Sequence, residues 1–505
     1  MKKLSVVHNT TLSYLGQAYS VLVGILIMPF YLGHLGAEVY GLIGFFAVLQ
    51  AWLMLLDAGM SPSLVRQIAH QQSAGDVQRI SGWLLRSFEI VFLPLAVLCC
   101  IAVYLVSPWI AGHWLNAQSL GHGTLVACVA LMGPMVALRL YSTLYKSGLQ
   151  GLEMHAWLNA ANVLIATLRY FGGLALVAWV SKDALVFFQF QLAVTLIETL
   201  LFAAKAYARL PAPHWFSGFN SALVKPVLPF ALSLSGTSIL WIVLTQLDKV
   251  LLSSSLTLKE YGYFSLVAMI STGIVTLVNP LVQTLLPRMT ALMAEGREGD
   301  MQQLYLGANR FICTLLFPLG AMIAVHGGPL IFAWSGDQHA ADWAAPLMLW
   351  YALGAAILAA NGFQFYLQYA HGRMRLHVWF SVVSALITVP VLVAAVHYQG
   401  AMGAAVAWFL LRLVSFAIWP QMIHQRLAPG IHGQWLHDML RITLMTAVGV
   451  LLTLPLVQLF TGPGRLQTLF GLALAGVIVL VLVAGSDKPL VQKILFLLTK
   501  PSAQR

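Results

Sequence analysis

Apolar runs of about 20 residues recur along the whole 505-residue chain, and no other feature constrains its fold as tightly. A helix of that length crosses the hydrocarbon core of a bilayer, which is about 30 Å thick. Inside lipid every backbone N–H and C=O needs a partner within its own helix or a closed barrel. The runs are continuous rather than alternating, so helices are expected instead of strands. They fall at 10–32, 40–58, 85–106, 123–145, 157–180, 184–207, 226–252, 261–285, 306–330, 343–369, 378–397, 401–420, 441–460 and 468–485. The expected fold is therefore an all-α polytopic membrane protein with about fourteen transmembrane helices. Composition agrees: 60% of residues are hydrophobic and 9% charged, where a soluble domain carries about 25% charged.

Lysine and arginine positions orient the chain. With the N-terminus inside, twenty basic residues fall in inner segments, and only Lys182, Lys259 and Arg465 fall in outer ones. Both termini are expected in the cytoplasm. Lys2 and Lys3 precede an apolar run too long for a signal peptide, so the first span is expected to be retained. The net charge of +11 is mostly this topological bias. Its residues are scattered over many loops, which does not suit nucleic acid as a partner.

The spans are organised as a repeat. Gly75-Asp76-Val77-Gln78 recurs as Gly299-Asp300-Met301-Gln302, followed at equal distances by Arg86 and Arg310 and by Pro94-Leu95 and Pro318-Leu319. Upstream, Leu35, Tyr40-Gly41 and Ala47 recur as Leu256, Tyr261-Gly262 and Ala268. Downstream, His155-Ala156-Trp157 recurs as His377-Val378-Trp379. Both Gly-Asp copies fall in inner loops, so the duplication is parallel, about an axis along the membrane normal. It divides the chain into a six-helix lobe at 1–207, a linker at 208–225, a second six-helix lobe at 226–425, and an extra helix pair with a tail at 426–505. A central cavity is expected between the lobes, where transporters commonly bind substrate.

The loops exclude several functions. None can hold a nucleotide-binding domain, and there is no Gly-x4-Gly-Lys-Ser/Thr phosphate loop. No His-Glu-x-x-His, nucleophile elbow or paired-cysteine motif occurs, so no cofactor or metal is expected. Cys99, Cys100, Cys128 and Cys313 all fall in spans and read as packing residues. Asp337 and Asp342 flank His339 in a Trp-rich outer segment that reads as an interface anchor.

The informative residues are the charges inside spans, each costing about 2.5–3.5 kcal/mol at mid-membrane. They are Arg139, Arg169, Glu198 and Arg412. Three cations against one carboxylate suit an anionic, phosphate-bearing substrate, because a guanidinium forks onto two phosphate oxygens and stays charged. Structural pairing of Arg169 with Glu198, and snorkelling of Arg139, is the competing reading. Glu198 is alternatively an ion- or proton-coupling site. Asp248, beside Lys249, is either half of a local ion pair or part of such a coupling or gating element. Arg66 and Arg288 follow the second and eighth spans, where they either line an inner mouth or anchor the topology.

The segment Gln246-Leu247-Asp248-Lys249-Val250-Leu251-Leu252, with Glu260-Tyr261-Gly262-Tyr263, resembles polysaccharide flippases of the Wzx type. So do Leu35-Gly36-Ala37-Glu38-Val39-Tyr40-Gly41 and Gly148-Leu149-Gln150-Gly151-Leu152-Glu153 ahead of Asn159 and Arg169. The resemblance implies the multidrug/oligosaccharidyl-lipid/polysaccharide exporter superfamily, with two six-helix lobes around a cavity. It implies a transporter rather than an enzyme. The implied activity is alternating-access flipping of an undecaprenyl-diphosphate-linked oligosaccharide in a bacterial inner membrane, coupled to an ion gradient. It also implies membrane lipid, a polysaccharide polymerase and a chain-length regulator as partners. The cationic cavity of the family carries over as Arg169, and more loosely as Arg139 and Arg412. Lipid II flippases of the same superfamily tend to have an arginine in the first span, and this chain has none there; fourteen spans also exceed the usual twelve. The rival readings are a multidrug or cation antiporter of the same superfamily, which would favour acidic cavity residues, and a membrane enzyme of glycan assembly.

Overall fold

A computed structural model describes residues 2–57, 59–71, 77–210, 219–225, 228–462 and 464–487. The described residues are almost entirely helical, with one isolated bridge between Asn116 and Thr257. The helices are α1 (Lys2–Leu53), α2 (Met60–Gln71), α3 (Val77–Trp109), α4 (His122–Gly151), α5 (His155–Thr167), α6 (Gly173–Trp179), α7 (Ala184–Arg209), α8 (Ser221–Val224) and α9 (Leu228–Ser255). They continue with α10 (Leu258–Thr276), α11 (Asn279–Ala294), α12 (Glu298–Val325), α13 (Gly327–Ser335), α14 (Gln338–Asn361) and α15 (Phe363–Ala370). The last three are α16 (Arg375–Leu427), α17 (His432–Phe460) and α18 (Arg465–Gly485).

Among the described residues, 11 segments are long and apolar enough to cross a membrane. Two of these hold two spans each, because α1 breaks at Gly36 (φ 82°) and α16 at Gly400 (φ 56°). Both sit in backbone that favours glycine over any residue with a Cβ. With the 28-residue α9, the spans number fourteen. Apolar side chains on α3 that face outward, such as Leu98 and Leu105, form the lipid-facing side of a span, where acyl chains are as apolar as leucine itself.

The chain forms two compact units, Met1–Gly262 and Tyr263–Arg505. In the first, α2, α3, α4 and α7 bury Leu64, Ile68, Leu85, Phe88, Phe92, Leu144, Leu149 and Phe202 in one core. In the second, α12, α14, α15, α16 and α18 bury Tyr305, Tyr351, Phe363, Ile423 and Val479.

The repeat is visible in local structure. The span expected at 40–58 is followed by a break and then α2, and the one expected at 261–285 is α10 and α11 broken at 277–278. Pro94 and Pro318 lie inside α3 and α12. Gly75-Asp76 lies outside the described residues, whereas Asp300 sits in the first turn of α12 and pairs with exposed Arg297 at 2.8 Å. The two Tyr-Gly copies meet within the first unit. A Cβ on Gly41 would collide with the Leu258 carbonyl oxygen, and one on Gly262 with that of Ala37. Each glycine thus faces the carbonyl one helical turn before its counterpart, so the backbones cross in direct contact.

Matching arginines sit in ion clusters of different make. Arg86 reaches Glu89 one turn along α3 at 2.6 Å. The Tyr207 hydroxyl donates to that carboxylate, and Tyr141 donates to the Glu89 carbonyl at 3.1 Å. Arg310 instead meets Asp438 of α17 at 3.3 Å and Asp487, just past α18, at 3.6 Å. Arg441 joins both carboxylates, at 3.6 and 2.9 Å.

Candidate functional site

Helical spacing assembles the site. Residues three, four and seven apart share a helix face. Arg139, Ser142 and Lys146 therefore project together from α4, and Gln191, Thr195 and Glu198 from α7, the helix packed against it. The third contributor is a π-helical turn, Leu168–Gly172, between α5 and α6, which carries Arg169. A π-turn widens the backbone and leaves carbonyls seeking other donors. The Tyr31 hydroxyl of α1 donates to two of them, Arg169 at 3.2 Å and Tyr170 at 2.8 Å. Gly173 leaves room for that hydroxyl, since a Cβ there would collide with it. The position of Arg169 is thus fixed from α1.

Glu198 is the hub. Its Oε2 accepts from Arg169 Nη2 at 2.6 Å, and its Oε1 from Lys146 Nζ at 2.5 Å and Ser142 Oγ at 3.3 Å. Arg169 Nη1 also donates to Thr195 and Gln191 at 3.4 and 3.5 Å. The carboxylate is 10% exposed, Arg169 13% and Lys146 30%, so the ion pairs are screened by protein more than by water. Arg139 lies over the Phe46 ring at 5.6 Å, its buried Nε without a hydrogen-bond partner. Among the described residues Arg139 forms no ion pair. Three cations surround one carboxylate, leaving two positive charges in a membrane-embedded region.

The arrangement brings together Arg139, Arg169 and Glu198. It also adds Lys146, which the sequence places among the inner-side basic residues and which lies on α4. Helix α4 continues past the span expected at 123–145, and seven residues separate Lys146 from Arg139, so the shared face is the available signal. Arg169 and Glu198 pair, as the competing structural reading expects, but with Lys146 as a second partner.

The remaining candidates lie elsewhere. Arg412 belongs to the second unit, over the Trp408 ring at 5.3 Å, and Trp408 stacks on Tyr351. Asp248 is buried on α9, 3.4 Å from Lys249, whose ammonium also donates to the Thr245 carbonyl at 2.7 Å. Arg66 is exposed on α2. Arg288 is exposed on α11, 3.7 Å from Glu295. Asp337 caps α14 by accepting from the Ala340 N–H. The four cysteines are free. Among the described residues, no three His, Cys, Asp or Glu side chains group to hold a metal ion.

A fourteen-span helical chain with a repeated architecture and an ionised cluster inside its first unit defines a multi-pass membrane protein of a transporter fold. The fold is similar to that of a lipid II flippase, MurJ, in an inward closed conformation: TM-score 0.67, 13% identity, covering 97% of this chain and 99% of that one. It is also similar to an inward-facing multidrug resistance MATE family transporter of the MOP superfamily (TM-score 0.65, 15% identity, 81% and 96% covered). A third likeness is a mutant form of the Vibrio cholerae MATE transporter VcmN (TM-score 0.57, 13% identity, 84% and 97% covered). No curated protein sequence matches the chain. Residues 6–293 match the family model described as polysaccharide biosynthesis protein, and the chain belongs to that family.

Proposed function

We propose that this protein is a lipid-linked oligosaccharide flippase for surface polysaccharide biosynthesis. It moves an undecaprenyl-diphosphate-linked glycan from the cytoplasmic to the periplasmic leaflet of a bacterial inner membrane by alternating access. The observation that carries this reading is the excess of two positive charges around Glu198, at Arg139, Lys146 and Arg169. A diphosphate esterified at both ends carries two negative charges, so a site of net positive charge attracts it. The polar face of Ser142, Gln191 and Thr195 supplies neutral hydrogen-bonding groups beside the cations. The lobes at 1–207 and 226–425 form the moving frame, and the basic inner segments set both termini in the cytoplasm. A cation antiporter is disfavoured by the same excess, because a cationic substrate would meet net repulsion here.

The test is complementation of a flippase-deficient strain. The intact protein should restore surface polysaccharide. Arg169→Ala and Arg139→Ala, at equal protein levels, should each lower transport about tenfold or more, since a charge-assisted hydrogen bond contributes about 1.5–3 kcal/mol. Full restoration by both variants would remove the site assignment. Failure of the intact protein to restore any polysaccharide would remove the substrate class.

A further inference from the structure

Both oxygens of the Glu198 carboxylate are occupied, and by the very donors an incoming phosphate would need. Arg169 Nη2 points at Oε2, and Lys146 Nζ at Oε1. Arg139 alone among the three cations donates no hydrogen bond to this carboxylate, although its charge acts on it. A diphosphate that takes the donors of Arg169 and Lys146 would therefore lie beside an ionised carboxylate. Like charges at such distance in a poorly solvated site repel strongly, and the usual relief is that one of them takes a proton.

We propose that Glu198 is an internal counter-ion that the diphosphate displaces, and that displacement is accompanied by uptake of one proton on its carboxyl group. The proposal rests on the diphosphate reading given above. Before the anion arrives, Glu198 neutralises Arg169 and Lys146. Once it is bound, the phosphoryl oxygens take over both donors, and the carboxyl group, now carrying the proton on one oxygen, can donate a hydrogen bond to Thr195, Gln191 or the ligand. The groups that face Glu198 are Arg139, Ser142 and Lys146 from α4, Arg169 from the π-turn, and Gln191 and Thr195 from its own helix. None of them is a second carboxylate, so the proton has one place to go.

Proton and anion favour each other at this site, and reciprocity requires each to raise the affinity for the other by the same factor. Substrate and proton therefore load together on Glu198. Exchange of one for the other, as in an antiport, cannot run through this carboxylate.

The test uses the full-length protein in lipid nanodiscs and symmetrical dimethyl diphosphate, a diester that stays doubly negative from about pH 6 to 8 and titrates no proton itself. Titration calorimetry in buffers of different ionisation enthalpy counts the protons. The expected result for the unaltered protein is uptake approaching one proton per anion, with Kd rising about tenfold per pH unit where linkage is complete. Glu198→Gln should bind about tenfold or more tightly at pH 8, with no proton uptake and a flat pH profile. Binding by the unaltered protein without proton uptake and with a flat profile would overturn the proposal, whatever the variant does. Absence of binding by both proteins at every pH would remove the anion site itself, and this inference with it. Binding that is weakened by Arg169→Ala but never proton-linked would leave the anion site standing and remove only the role of Glu198.

Discussion

Arg86 and Arg310 occupy matching positions in the two copies of the repeat, and both sit largely enclosed beside carboxylates drawn from different parts of the chain. In the first copy the carboxylate is Glu89, one turn away on the same helix. The position equivalent to Glu89 in the second copy is Cys313, which cannot serve. There the arginine is met by Asp438 of α17 and by Asp487, just beyond the end of α18. Those two helices have no counterpart in the first copy. The repeat sets them apart as an appendage, yet they supply the negative charge that the second copy lacks. An enclosed guanidinium without its carboxylates would be strongly unfavourable, so the appended pair is tied to α12 by charge as well as by packing.

The comparison can be broken most sharply at Arg310. Arg310→Met leaves two buried aspartates sharing Arg441, and breaking a buried ion cluster in this way should destabilise the second unit by about 3–5 kcal/mol. Thermal unfolding in nanodiscs would show it, and a shift near zero would mean that α17 and α18 are held by packing alone. A smaller effect sharpens the idea of substitution between copies. Asp487→Asn should lose about 1.5–3 kcal/mol, the range for a hydrogen bond to a charged group. Adding Cys313→Glu, which puts a carboxylate where the first copy has Glu89, should recover part of that loss. An additive or worse double variant would show that the two positions are not interchangeable. The smallest effect belongs to the first copy. Tyr141→Phe removes one neutral hydrogen bond to the Glu89 carbonyl and should lower stability by about 0.5–1.5 kcal/mol, read by the same unfolding measurement.

How much of this is legible in the sequence depends on the range of the interactions. Helix number, the repeat and its matched prolines are carried by patterns of about 20 residues or fewer, and these stand in the sequence. Arg169 and Glu198 are conspicuous because isolated charges in apolar spans are rare. Lys146 is not, because its charge lies near the end of a span, where topology alone accounts for a lysine. Only the extension of α4 brings it onto the face beside Glu198. Tyr31 is hidden as well. A tyrosine in a first span reads as packing, and its two acceptors exist only because the backbone at Leu168–Gly172 opens into a π-turn. The carboxylates of Arg310 are invisible for a third reason: they lie far along the chain from it, and nothing local to either marks the pairing.

The contact of Gly41 and Gly262 carries a mechanical consequence. Where interlocked side chains hold two helices, separation strips apolar area and disturbs rotamers on both sides. At these two glycines the touching atoms are bare backbone, with α-hydrogens aimed at carbonyl oxygens. Two such weak bonds contribute only about 1–2 kcal/mol together. At these two positions the contact tolerates no added methyl group: it behaves as a close-fitting bearing, strict about shape.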